Sequence, residues 1–359
     1  MIFKRSVQRE FSNTAAGVFV ALFAILITTQ LIRLLGQAAG GKLASEGVLA
    51  LLGFGALNYM PVVLSLTVFV SILLTLSRCY RDSEMMVWFS SGLPLTAWIS
   101  PVLRFALPIV FVVALLSLFL SPWALQKSAE LREKLASRDD VSQVSPGNFR
   151  ESSNAERVFF VEAIAEDASR VKNVFVSSVQ HGRLGVMVAA EGFTEAAPNG
   201  DRFLVLLSGR RYEGVAGTPD YRESEFSRYA IRIEQKEAPG IAASPKTTRL
   251  HRLLREPTLA NLGEVVWRIG LPLSALVLAL LAIPLSFVNP RAGRSMHLIL
   301  ALLIYVTYSN LTSIAQAMVA QGKVTFAVGL VAVHAVMVLL LLVLFWRRIA
   351  VYAWFRMRR

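Results

Sequence analysis

The sequence predicts an α-helical polytopic membrane protein in which six transmembrane helices are divided, three and three, by an inserted β-rich domain. Three observations predict this class. The 359 residues are 55% hydrophobic, with a mean hydropathy of +0.54. Apolar runs long enough to cross a bilayer occur six times along the chain. A hydrophilic block at 123–262 separates the third run from the fourth.

Each apolar run reaches the roughly 20 residues that a helix needs to span the hydrocarbon core. The first run is interpreted as an uncleaved span, because it is too long for the apolar region of a signal peptide. The six predicted spans are Thr14–Leu35, Val48–Ser77, Trp98–Pro122, Glu264–Phe287, Met296–Val319 and Val324–Trp346.

The net charge of +13 belongs to the membrane part of the chain. Residues 123–262 carry 20 Lys and Arg against 19 Asp and Glu, whereas the remainder carries 17 against 5. This distribution argues against nucleic acid as a partner. The basic residues flank the spans at ends that share one side of the membrane, and the positive-inside rule makes that side cytoplasmic. They are Lys4, Arg5, Arg9, Arg78, Arg81, Arg291, Arg294, Arg347, Arg348, Arg356, Arg358 and Arg359.

Both termini are therefore predicted in the cytoplasm and the 123–262 block outside it. The predicted organisation is 1–122 for the first three spans, 123–262 for the inserted domain, and 263–359 for the last three spans and a basic tail. The single cysteine, Cys79, lies on the cytoplasmic side, so the inserted domain is predicted to be stable without disulfides.

The inserted block begins with a charged stretch, 125–138, that predicts a helical stalk, and continues with a hydrophobic period of two. Several short antiparallel strands predict a sandwich or a jelly roll. A polar linker, Pro239–Pro257, returns the chain to the membrane, where Glu264, Trp267 and Arg268 are predicted as anchors at the outer interface. The predicted strands are Arg157–Glu162, Lys172–Val176, Arg183–Val188, Arg202–Leu207 and Tyr229–Ile233.

The loop between spans two and three, Arg78–Pro94, is the most informative cytoplasmic segment. Ser83 is placed to cap a short helix, with Glu84 at the positive end of the helix dipole. Such an amphipathic helix either lies on the bilayer surface or docks into a groove of a cytoplasmic partner. The residues alone favour neither. The apolar side chains of this helix are Met85, Met86, Trp88 and Phe89.

Arg33 lies near the outer end of span one. A snorkelling arginine with its guanidinium among the lipid headgroups is the simpler interpretation. The alternative is a cation that faces a phosphate or carboxylate in a cavity. Lys323 lies in the outer turn before span six.

The sequence contains no recognisable catalytic site. The stretch Gly36–Lys42 fits part of a phosphate-binding loop, but Leu43 stands where a Ser or Thr would bind Mg²⁺, and no soluble strand precedes it. Histidines lack metal-ligand spacing, and no carboxylate lies deep within a span. We therefore predict a chain that is not an enzyme and holds no cofactor, with any ATP and Mg²⁺ bound by another chain.

Five motifs of this chain resemble the LptF/LptG family of lipopolysaccharide export permeases, and within that family the LptF branch. The six-span layout with a central inserted domain resembles the family as well. The motif beginning at Pro284 is the most specific of the five. The motifs are Leu31–Gly36, Tyr80–Glu84, Gly92-Leu93, Trp267–Ile269 and Pro284–Arg294.

This resemblance implies a permease subunit of an ATP-driven ABC exporter in the bacterial inner membrane. The expected partners are LptG as the paired permease, a dimer of the ATPase LptB, and LptC with LptA beyond it. The expected substrate is lipopolysaccharide, and the expected form of the inserted domain is a periplasmic β-jelly roll. A non-transporting membrane scaffold, whose β-domain binds a partner, is the alternative function.

The resemblance also implies roles for individual residues. The loop helix resembles a coupling helix that docks into the ATPase, with Glu84 as the central polar contact. The cations resemble those that meet the phosphates of lipid A, since guanidinium and ammonium groups pair well with phosphate. The implied coupling residues are Glu84, Tyr80, Arg81, Met85 and Trp88, and the implied lipid contacts are Arg33, Lys42 and Lys323.

Overall fold

The computed structural model describes residues 2–40, 43, 45–142, 149–151, 157–164, 170–180, 183–196, 202–214, 222–233, 244–287 and 294–357. The chain divides into two compact units. The membrane unit comprises Met1–Leu131 and Ala243–Arg359, and the β unit comprises Arg132–Ala242. The β unit therefore lies inside the predicted block 123–262.

Within the described residues, six helical segments are long and apolar enough to cross a membrane, and each predicted span coincides with one of them. The prediction of a multi-pass helical membrane protein is confirmed. The helices are α1 (Ile2–Ala39), α2 (Val48–Arg81), α3 (Glu84–Ser90), α4 (Ile99–Leu115), α5 (Ser121–Ser142), α6 (Leu250–Arg255), α7 (Leu259–Leu285), α8 (Arg294–Ala320) and α9 (Phe326–Met357).

Helices α2 and α7 form the centre of the membrane unit. In each of them 61% of the most apolar stretch is buried, against 6% in α1 and 22% in α8 and α9. The apolar side chains that α1, α8 and α9 leave exposed must contact lipid or another chain, because water would make that exposure costly.

The third span continues into the stalk without a break. A π-helical turn, Leu116–Leu120, joins α4 to α5, and α5 contains the whole predicted stalk 125–138. The return segment was predicted as a polar linker without a clear period, and it contains the short helix α6. Thr258 then caps α7, since its hydroxyl oxygen accepts a hydrogen bond from the backbone N–H of Asn261 at 3.2 Å.

The described strands of the β unit form one antiparallel sheet in which each strand pairs with its neighbours in sequence. All five predicted strands are present. The first strand was missed because three residues are too few to show a period. The jelly-roll topology stays a prediction. The strands are β1 (Phe149–Glu151), β2 (Arg157–Ile164), β3 (Arg170–Gln180), β4 (Arg183–Ala196), β5 (Arg202–Gly214) and β6 (Arg222–Ile233).

The apolar face of this sheet does not follow simple alternation. On β3, Val171 and Val174 contact the same apolar cluster although they are three residues apart. Asn173 lies between them with a φ of 51°, and Ser208 has the same φ on β5. A residue with positive φ turns the side chains that follow it to the other face. Asn173 therefore keeps Val171 and Val174 on one apolar face, which extends over β3 to β6 in the described residues.

Candidate functional site

The loop between α2 and α3 is a tight turn built on Ser83. Ser83 has a φ of 59°, and its carbonyl oxygen accepts hydrogen bonds from the backbone N–H groups of Met86 and Val87. Its side chain makes no capping hydrogen bond, so the predicted side-chain cap was wrong. The backbone carbonyl takes that role, and α3 leaves the turn at a defined angle to α2.

Helix α3 is fixed by one face and exposes another. Met85 is fully buried in the apolar core of the membrane unit, and Trp88 packs against that core. Met86 and Val87 point outward, with exposed fractions of 63% and 64%. Met86 and Val87 therefore form a small exposed apolar patch on this helix.

Arg78 is the centre of a charged cluster at the base of this loop. Its guanidinium pairs with Glu84 at 3.0 Å, with Asp82 at 3.1 Å and with Glu10 of α1 at 2.5 Å. Glu84 keeps 43% of its side chain exposed. This carboxylate therefore has an internal partner and remains accessible to a second cation from outside.

A chain of aromatic contacts fixes the other side of the loop. Tyr80 packs against Phe89 with ring centroids 6.3 Å apart, and edge-on against Phe287 at the end of α7 at 5.4 Å. The guanidinium of Arg348 on α9 lies over the Phe287 ring at 3.9 Å, in a cation–π contact. The position of α3 is thus tied to α2, α7 and α9.

The structure separates the five predicted coupling residues by role. Tyr80 and Met85 are buried in the membrane unit. Trp88 is partly buried, whereas Arg81 is exposed and Glu84 is half-exposed. The accessible set is therefore Arg81 and Glu84 together with Met86 and Val87.

A second polar centre lies on α7, where Arg268 and Glu264 are buried rather than exposed at an interface. The Arg268 guanidinium donates to the Glu264 carboxylate at 2.9 Å. It also donates to the carbonyls of Thr248 and Pro245 at 3.0 Å, and to that of Lys246 at 3.1 Å. Glu264 and Arg268 were predicted to be anchors at the membrane interface. In the structure they instead form an internal clamp that holds the return segment.

The clamp extends to two neighbouring helical segments. The side-chain amide of Gln316 on α8 donates to Glu264 at 3.4 Å, and Ser117 in the π-helical turn donates to the Arg268 carbonyl at 3.0 Å. Trp267, the third predicted anchor, is partly buried and lines a cleft between α2, α7 and α8 with an interior volume of about 20 Å³. A cleft of this size has room for about one water molecule and not for a lipid with several acyl chains.

The predicted lipid contacts lie on different elements. Arg33 is exposed on α1, and Lys323 is exposed in the turn after α8. In the part of the chain that the structure describes, neither side chain has an acidic partner within ion-pair distance. Lys42 lies outside the described residues.

Comparison with known proteins places this arrangement in a family. The family model for lipopolysaccharide export system permease LptF/LptG matches residues 5–347, which is nearly the whole chain. The chain belongs to the LptF/LptG family. It is 28% identical to the lipopolysaccharide export system permease protein LptF of Escherichia coli K12 over 314 residues. That alignment covers 86% of this chain and 84% of the relative, and the Shigella flexneri LptF gives the same values.

Within this LptF/LptG permease, the residues that organise the loop between α2 and α3 were only partly visible from the sequence. Arg78 was counted as a basic residue that marks the cytoplasmic side, and Glu10 was not singled out. Their ion pair joins residues 68 positions apart, and no local pattern signals such a contact. The one available hint was local charge, because two acidic residues lie within the six positions that follow Arg78.

Proposed function

We propose that this chain is the LptF-type permease subunit of an ATP-driven ABC exporter that moves lipopolysaccharide out of the bacterial inner membrane and toward a periplasmic bridge. The family match across residues 5–347 carries the proposal. The six apolar helices and the outward-facing loop helix support it. Both termini lie in the cytoplasm and the β unit lies in the periplasm.

The energy source is a separate ATPase, an LptB dimer, that binds ATP and Mg²⁺. Helix α3 is the contact, because it presents Met86 and Val87 to a groove and places the half-exposed Glu84 beside them. The permease itself catalyses no reaction.

The lipid pathway requires a second permease, LptG. The cleft in this chain is too small for the lipid, and α1, α8 and α9 leave long apolar faces uncovered. Two such chains enclose a larger apolar cavity between those faces. The β unit, with its continuous apolar face, passes the lipid on through LptC and LptA.

The exposed cations orient the lipid by its phosphates. Arg33 and Lys323 have no internal acidic partner in the described residues, so their charges are available to an external anion. A guanidinium pairs with phosphate through two parallel hydrogen bonds, which makes Arg33 the stronger contact. Lys42 is proposed as a third cation on sequence grounds.

Purification of the tagged chain in mild detergent from its native host tests this function. We expect mass spectrometry to identify an ATPase subunit and a second six-span permease in stoichiometric amounts. Recovery of the chain alone, or with periplasmic proteins only, would contradict the exporter and support the scaffold function.

Substitution of Glu84 with alanine is expected to weaken binding of the ATPase about tenfold, or about 1.4 kcal/mol, because a charge-assisted contact is lost. The measurement is the affinity of the purified ATPase for the permease pair. Asp82→Ala is the matched control, since it removes a carboxylate that also pairs with Arg78 but does not belong to α3. Equal affinities for the wild-type and Glu84→Ala complexes would refute the docking role.

A photo-crosslinking amino acid at Arg33 is expected to capture lipopolysaccharide in membranes, because the side chain is exposed and has no internal acidic partner among the described residues. Val20, exposed to 66% on the same helix, supplies a control position nearer the cytoplasmic end. Adducts of equal yield at both positions would show that α1 contacts lipid without a preference for Arg33.

A further inference from the structure

Most of the fully buried side chains of helix α1 lie near its cytoplasmic end. Val7, Phe11 and Ala15 are buried there. Leu34 is buried near the opposite end, and none of the residues 16–33, all of which the structure describes, falls in the buried class. The side chains that α1 buries fully are therefore concentrated at this end, the base of the helix.

Three contacts hold this base. Glu10 pairs with Arg78 at 2.5 Å. The hydroxyl of Thr75 donates to that of Thr14 at 3.1 Å. The ring of Phe11 packs against that of Phe105 on α4 with centroids 5.4 Å apart. The first contact differs from the others because its partner, Arg78, also binds Glu84, the first residue of α3.

We propose that Arg78 is a positioning residue that carries movement of α3 to the base of α1 through Glu10. The inference rests on the proposed function, since α3 is taken to be the element that the ATPase moves. Arg78 donates to Glu84 and Asp82 through one terminal nitrogen and to Glu10 through the other. A displacement of Glu84 therefore pulls on the same rigid, planar group that holds Glu10.

The length of α1 amplifies a small movement at its base. A helix of 38 residues is about 57 Å long at the usual rise per residue. A rotation of about 5° at the base therefore moves the far end by about 5 Å, roughly one helical turn. The charged cluster at the base therefore controls an element much larger than itself.

The ion pair is suited to transmission rather than to stability. The side chains of Arg78 and Glu10 are 37% and 30% exposed. Partly exposed pairs contribute little to the free energy of folding. Glu10→Gln removes the charge and keeps the shape, so the variant is expected to fold and to retain its ATPase.

The test uses the full exporter, with both permeases and the ATPase, reconstituted in vesicles that contain lipopolysaccharide. For Glu10→Gln we expect ATPase affinity and ATP hydrolysis to stay near wild type. The amount of lipopolysaccharide released per ATP is expected to fall roughly fivefold, the lower end of coupling between two sites. The double variant Glu10→Gln with Arg78→Gln is expected to release little less lipopolysaccharide than Glu10→Gln alone, because both changes break the same ion pair.

Asp82→Asn is the matched control, because it removes another partner of Arg78 that lies outside α1. Release per ATP at the wild-type value for Asp82→Asn, together with the loss for Glu10→Gln, supports the proposal. An unchanged release for Glu10→Gln, or an equal loss for Asp82→Asn, overturns it. If the wild-type exporter releases no lipopolysaccharide at all, that result contradicts the proposed function rather than the role of Arg78.

Discussion

Replacing Arg268 with methionine is expected to lower the free energy of unfolding of the membrane unit by about 3–5 kcal/mol. The change removes the partner of Glu264, whose side chain is only 7% exposed, and leaves a buried carboxylate without its counter-charge. It also leaves the carbonyls of Thr248, Pro245 and Lys246 without their side-chain donor. Removing one member of a buried pair costs far more than the pair contributes when intact.

The measurement is thermal unfolding of the purified full chain in detergent, followed by tryptophan fluorescence. Arg252→Met serves as the control, because Arg252 is an exposed arginine on the neighbouring α6. The double variant Arg268→Met with Glu264→Gln is expected to recover part of the loss, since it no longer buries an unpaired charge. A double variant as unstable as Arg268→Met alone would show that the lost carbonyl contacts, and not the charge, dominate.

Adding a single methyl group at Gly209 is expected to destabilise the β unit by about 3 kcal/mol, the upper end of the usual cost of overpacking. A Cβ on this residue would overlap the Val188 carbonyl oxygen of the paired strand and the ring of Phe226. A backbone oxygen within a sheet cannot move away without breaking the strand pairing that holds it. Gly209→Ala therefore forces the sheet itself to distort.

Hydrogen exchange of the full chain, read on peptides from 202–214, measures this loss as faster exchange of the β5 amides. Gly192→Ala is the control, because a Cβ there would meet side-chain methyl groups of Val171, Val174 and Leu206 at 3.2–3.3 Å. Such side chains can shift by a few tenths of an ångström. If the two variants exchanged at the same rate, backbone rigidity at Gly209 would not be the deciding factor.

The elements that depend on local pattern were predictable. Long apolar runs, the period of two in the inserted block, and the charged stalk each follow from short stretches of sequence, and the structure contains them. The loop helix was also predictable as an element, because Glu84 opens it and Gly92 follows it. Its orientation was not, since the turn depends on the positive φ of Ser83 rather than on a side-chain cap.

The burial of polar residues was the feature that the sequence predicted least well. Arg268 and Glu264 stand where a helix enters the membrane, and this position favours an interfacial anchor when only the neighbouring residues are considered. Whether a charge faces headgroups or the protein interior depends on which other segments pack over it. Here those segments are residues 245–248 and the α8 residue Gln316, which are 20 or more positions away in sequence.

The same division holds for function. The class of protein, the six spans and the motifs that place the chain among the LptF/LptG permeases followed from the sequence alone, because all of these are read over contiguous residues. The sidedness that the basic residues predict stays a prediction. Which side chains of the loop are exposed depends on packing between segments that lie far apart in sequence. This packing buried Met85 and Tyr80, exposed Met86 and Val87, and brought Glu10 to Arg78. Contacts between distant residues depend on how helices pack, and neither composition nor period specifies that packing.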